Sequence, residues 1–156
     1  MAESYEVVLQ QVAVRDLLGL LGFLEASSRE LMGLVSSESF INVGGGDINK
    51  ALIEEVIAYK GDVCLAGRLY EFLVSPTISL PCVLLRVVKY SEGVDVELSF
   101  NEVPFLNADC VMRAMRDYSD DLSNRFEFSQ FYGGLEPAVD VNTRYFTGNS
   151  FGPLGL

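Results

Sequence analysis

The stretch from Leu80 to Phe100 constrains the fold most. Leu80 to Lys89 is a long apolar run, Ser91-Glu92-Gly93 supplies turn chemistry, and Val94, Val96, Leu98 and Phe100 then alternate with Asp95, Glu97 and Ser99. A period of two sends successive side chains to opposite faces of a strand. The stretch therefore reads as a hairpin with one face in a core and the other turned outward. Arg86 and Lys89 lie on the strand facing Asp95 and Glu97, where cross-strand ion pairs account for them.

Around this hairpin the pattern changes period. Tyr5 to Val12 reads as a first strand, and Leu17, Leu18, Leu20, Leu21 and Leu24 give the next segment a wide helical apolar face. Ser27 and Glu30 form a capping-box pair ahead of Leu31, Leu34 and Val35, which predicts a second short helix. Ser39 to Val43 reads as a short strand. Asp47 then caps a helix carrying Ile48, Leu52, Val56 and Tyr59, which Gly61 closes. Asp62–Ala66 and Arg68–Val74 read as strand segments, or as one strand broken near Gly67. Asn107 or Asp109 caps a helix with Val111, Met115, Tyr118 and Leu122 on its buried stripe, and Arg125 to Tyr132 reads as a final strand. The segment 133–156 is rich in Gly, Asn and Pro but carries Tyr145, Phe146 and Phe151, which suits a tail that docks on the domain or on a partner.

The expected fold is α+β: a mixed or mainly antiparallel sheet with three to four helices packed against it. The 156 residues, 49% of them apolar, suit a single domain spanning 1–156.

Histidine is absent. That excludes Ser-His-Asp and Cys-His catalysis in their usual forms, and zinc sites that need imidazole. The triple glycine at 44–46 precedes a helix, but Asp47 occupies the place where a phosphate loop needs Gly-Lys-Ser/Thr. A turn with an N-cap explains it. Cys64, Cys82 and Cys110 are odd in number and far apart, so they read as reduced thiols. No cofactor and no metal are expected. The acidic N-terminus is unlike a signal peptide, and Val14–Leu24 is too short to span a bilayer, so the expected location is the cytoplasm, away from the membrane.

The formal net charge is −11, from 22 acidic against 11 basic side chains. Direct nucleic-acid binding needs a basic footprint and is disfavoured. Asp95 and Glu97 project from one face of a strand. Asp117 and Asp121, four apart on a helix, share a face, with Asp120 beside them, and Arg113 and Arg116 form local pairs there. Such acid pairs suit a solvated face, a partner-binding face, or, in a cleft, metal binding or carboxylate catalysis.

With these features, and a C-terminal segment Asp140-Val141-Asn142-Thr143-Arg144-Tyr145-Phe146-Thr147-Gly148, the chain resembles bacterial toxin-immunity proteins of contact-dependent or type VI competition systems. The resemblance implies a binding protein, not an enzyme, that occludes the active or substrate-binding surface of one cognate toxin inside the producing cell. It also implies a toxin with a basic surface, met by an acidic face. Asp95, Glu97, Asp117, Asp120 and Asp121 are the candidate contact residues, with Tyr145 and Phe146 as candidate anchors. A nucleic-acid mimic, a small enzyme using carboxylates and a subunit of a larger assembly are the other readings of the same features.

Overall fold

A computed structural model describes residues 3–38 and 47–155. Among these residues eight strands form one sheet in the order β2-β3-β4-β5-β1-β6-β7-β8, antiparallel at every junction. They are β1 (Ser4–Gln10), β2 (Glu30–Ser36), β3 (Val63–Ser75), β4 (Ile78–Tyr90), β5 (Gly93–Asn101), β6 (Gln130–Leu135), β7 (Arg144–Thr147) and β8 (Ser150–Phe151). Among the described residues, three α-helices, α1 (Val14–Ala26), α2 (Lys50–Ala58) and α3 (Ala108–Arg125), complete the α+β fold.

The expected hairpin is β4–β5. Its register pairs Val87 with Val96 and Leu85 with Leu98, and Val94, Val96, Leu98 and Phe100 are all buried. β1 extends the ladder by pairing Leu9 with Val96 and Val7 with Leu98. All three helices cover this inner face. Leu17, Leu20, Leu21 and Leu24 of α1, Leu52 and Val56 of α2, and Val111, Met115 and Leu122 of α3 join it in one apolar cluster. Tyr118, at the edge of the α3 stripe, is half-buried, and its hydroxyl lies 2.7 Å from Ser27 Oγ.

The expected second helix from Ser27 is instead β2. α1 ends at Ala26, and the Ser27 amide donates back to the Phe23 carbonyl at 3.0 Å. Leu31 and Leu34 mimic helical spacing because a β-bulge shifts the register between Met32 and Val35. Gly33, at φ +68°, absorbs the extra residue, and both leucines stand over Gly67 of β3. A β-carbon there would meet Leu31 Cδ1 at 2.9 Å. Gly67 therefore marks a close approach inside one continuous strand rather than a break.

Other boundaries also move. Asn49, not Asp47, caps α2, accepting from the Leu52 amide at 2.9 Å. The helix ends at Ala58, ahead of Gly61, because Tyr59 turns to extended backbone. Asn107, the first of the two candidate caps, caps α3 by accepting from the Cys110 amide. The expected strand from Arg125 begins only at Gln130. Arg125 is the last residue of α3, and Phe126 and Phe128 pack on the core from a connection anchored by the Glu127 amide donating to Asp16 Oδ2 at 2.8 Å. The expected strand 39–43 and the triple glycine lie outside the described residues.

The C-terminal segment docks on the domain. β7 pairs with β6, and Phe146, 1% exposed, fills the core beside Phe131. Its ring lies over Gly133, where a β-carbon would sit 2.5 Å from Phe146 Cζ. Gly133→Ala is expected to destabilise the protein by about 1–3 kcal/mol through overpacking. A urea unfolding midpoint equal to wild type would show that the ring is free to move aside.

Candidate partner-binding surface

The helices cover one face of the sheet and leave the other open. The alternation that buries Val96 and Leu98 turns their neighbours onto this open face. The register sets three rows across it: Cys64–Val88–Asp95, then Ala66–Arg86–Glu97–Val8–Tyr132, then Arg68–Leu84–Ser99–Glu6–Gly134.

Charge is unevenly matched here. Arg86 NH2 lies 3.1 Å from Glu97 and 3.8 Å from Glu136, so two carboxylates share one guanidinium. Among the described residues the buried Arg86 Nε has no hydrogen-bond partner. Asp95 accepts from neutral donors, the Tyr90 hydroxyl at 2.8 Å and the Gln11 amide at 2.9 Å. Desolvation, that hydrogen bond and the nearby Asp95 and Glu92 charges push the Tyr90 phenol up to about 12. Burial raises the Glu97 carboxyl above its usual range. Arg86 opposes the rise, and Glu6, Asp95 and Glu136 add to it.

A hydrogen-bonded loop borders this face. Glu6 accepts from the Ala138 amide at 2.6 Å, and Ala138 joins Val8 and Tyr132 in a small apolar cluster on the open side. Arg144 stacks on Tyr132 at 3.9 Å and donates to the Ala138 and Val139 carbonyls. Thr143 Oγ1 closes the loop on the Pro137 and Asp140 carbonyls. Val139 and Val141 are left exposed at its tip. Nearby, a groove open to solvent is lined by Arg68, Cys82, Leu84, Ser99, Phe105 and Glu136, among others. Phe105 is 83% exposed, more than any other large apolar side chain among the described residues.

The second acidic set lies on the other side of the sheet, on α3. Asp117 and Asp121 line a shallow groove with Arg113, Tyr118 and the 74–76 turn. Both are paired on their own helix: Arg116 lies 3.0 Å from Asp117, and Arg125 lies 3.2 Å from Asp121. Asp120 is half-buried between them, and its backbone carbonyl accepts from Ser123 Oγ. Asp95 and Glu97 thus come together, as do Asp117, Asp120 and Asp121, on opposite sides of the sheet. Of the two aromatics, Tyr145 is half-buried, tilted against Tyr5 at 6.2 Å, whereas Phe146 belongs to the core and offers a partner no surface.

A profile of the PABL017 Cdi1I immunity protein family matches residues 3–151. The chain belongs to this immunity-protein family. It is also 38% identical to a chain of a solved structure, with a TM-score of 0.93 over 99% of both chains. That structure is the 1.75 Å crystal structure of the toxic C-terminal tip of CdiA from Pseudomonas aeruginosa in complex with immune protein. Comparison with curated proteins found no match.

Among the described residues of the immunity protein, no group of three or more His, Cys, Asp or Glu side chains could hold a metal ion, and no helix is long and apolar enough to cross a membrane. Sequence reasoning missed Phe105 and the 136–143 loop. Phe105 follows Pro104 in a segment with no period, and only its lack of a core role in space distinguishes it.

Two tests follow from this geometry. The folded protein holds the Glu97 proton to higher pH than the unfolded chain, whose carboxyl ionises from about pH 4 upward. Stability contributed by this group therefore falls as pH rises through that window and levels off above the folded pKa. Glu97→Gln should remove this part of the pH slope, and urea midpoints measured across the window would show it as a flatter profile than wild type. Arg144→Lys keeps the charge but loses the fork. It should speed hydrogen exchange at the Ala138 amide by about tenfold, equivalent to roughly 1.4 kcal/mol of local opening. Unchanged exchange would mean that Glu6 alone holds the loop.

Proposed function

We propose that this immunity protein neutralises a cognate CdiA-type toxin in the cytoplasm of the cell that makes both, by binding it and covering its active or substrate-binding surface. It performs no chemistry of its own. The observation that carries this reading is the likeness, over 99% of both chains, to a protein in a crystal structure of a CdiA toxic tip with its immune protein. The net charge of −11 and the carboxylates on both sides of the sheet support an acidic approach to a basic toxin.

Charge placed this way acts first on the encounter. Asp117 and Asp121 are exposed and paired at the surface, so each contributes little to fixed affinity. Their field still steers a basic partner over roughly a Debye length, about 8 Å at physiological salt. Asp95 and Glu97, half-buried on the open face, are placed to contribute after contact. Tyr145 remains a candidate anchor beside α3.

Co-expression with a cognate CdiA-type toxic domain should restore growth to cells that the toxin alone arrests. Continued arrest, with both proteins present at equal levels, would refute the proposed function. Reversing Asp117, Asp120 and Asp121 together to Lys should slow association about tenfold at low ionic strength, with the difference vanishing at high salt. Stopped-flow association rates that did not differ at low salt would remove these three residues from the contact process.

A further inference from the structure

The open sheet face and α3 both carry acids, but they differ in what those acids lack. On α3, Asp117 and Asp121 each have an arginine on the same helix. On the open face, Glu97 and Glu136 divide Arg86 between them, and Asp95 has only neutral donors. On the open face two carboxylates therefore share one guanidinium, with Arg68 at the groove beyond them, whereas on α3 Asp117 and Asp121 each have an arginine of their own and Asp120 has no ion pair among the described residues. A cation arriving from outside gains more where the charge is unmatched and half-buried than where it must displace an existing partner.

The same face supplies the other parts of a tight interface. Phe105 stands exposed at the groove, and Val139 and Val141, 67% and 59% exposed, stand on the bordering loop. Exposed large apolar side chains can form the water-excluded centre of an interface, with charged and polar groups beside them. The loop is held before any partner arrives, by the Arg144 fork and the Glu6–Ala138 bond. Ordering it therefore costs little on binding. The groove at Asp117 and Asp121, lined also by Arg113, Cys110 and Ala114, includes none of the exposed large apolar side chains.

Resting on the proposed toxin neutralisation, we infer that the toxin docks on the helix-free face of the sheet, seating a segment with a Lys or Arg side chain against Glu97 and Glu136 and an apolar neighbour against Phe105. The α3 carboxylates then act on approach, and the groove acts on residence. Affinity of related complexes is set mostly by dissociation, so the two roles separate in kinetics.

The test uses the full chain and a catalytically inactive form of its cognate CdiA-type toxic domain, with association and dissociation followed by surface-based kinetics. Phe105→Ala and Glu136→Lys, both at exposed positions, should each speed dissociation by about thirtyfold or more while leaving the melting temperature unchanged. Glu97→Gln should speed it by about tenfold. The triple reversal at Asp117, Asp120 and Asp121 should leave dissociation within about twofold of wild type. Wild-type dissociation rates for the folded Phe105→Ala and Glu136→Lys variants would overturn the docking face while leaving toxin neutralisation intact. Failure of the unmodified chain to bind the toxin domain at all would overturn the proposed function, and this inference with it.

Discussion

Burial of alternate residues on β4, β5 and β1 against three helices is the constraint from which the rest of the molecule follows. Once Val87, Val96 and Leu9 share a row under the helices, Arg86, Glu97 and Val8 must share one on the far side. A slip of one residue would drive Glu97 into the apolar core and turn Val96 outward. The cost of that exchange fixes the register. It also fixes the charged face, although nothing in the burial energy concerns recognition.

What the amino-acid sequence made legible follows the same division. The β4–β5 hairpin, the apolar side of α1, the cap of α3 and the Arg86–Glu97 pair all follow from local period and chemistry. β2 did not, because a bulge at Gly33 puts Leu31 and Leu34 on one face at a spacing that a helix also uses. The start of β6 was misplaced because Phe126 and Phe128 are core residues held by a connection, not by a ladder. The two acidic sets were each recognisable as sharing a face. Their placement on opposite sides of the sheet depended on where α3 packs, which no local pattern records. Phe105 was invisible for a related reason: exposure is a property of the assembled surface.

The aromatic C-terminal segment shows how one sequence signal divides in three dimensions. Phe146 fills the core, Tyr145 lies half-buried at the edge of α3, and Phe151 packs under the Arg116 guanidinium at 4.4 Å. Arg144, between them in function, ties the loop over the open face to β7. Core, helix and the 136–143 loop are thereby linked through four consecutive residues of one short strand, so damage to β7 would reach all three.

The bulge in β2 has a further consequence for how the protein behaves in company. Among the described residues β2 stands at one end of the strand order, and its outward row of amides and carbonyls is interrupted at Gly33, where the strand bends. At the other end β8 is only two residues long. Neither margin offers a straight, regular template on which a second copy could add a strand. Strand addition at the sheet margins of the described residues is thereby disfavoured.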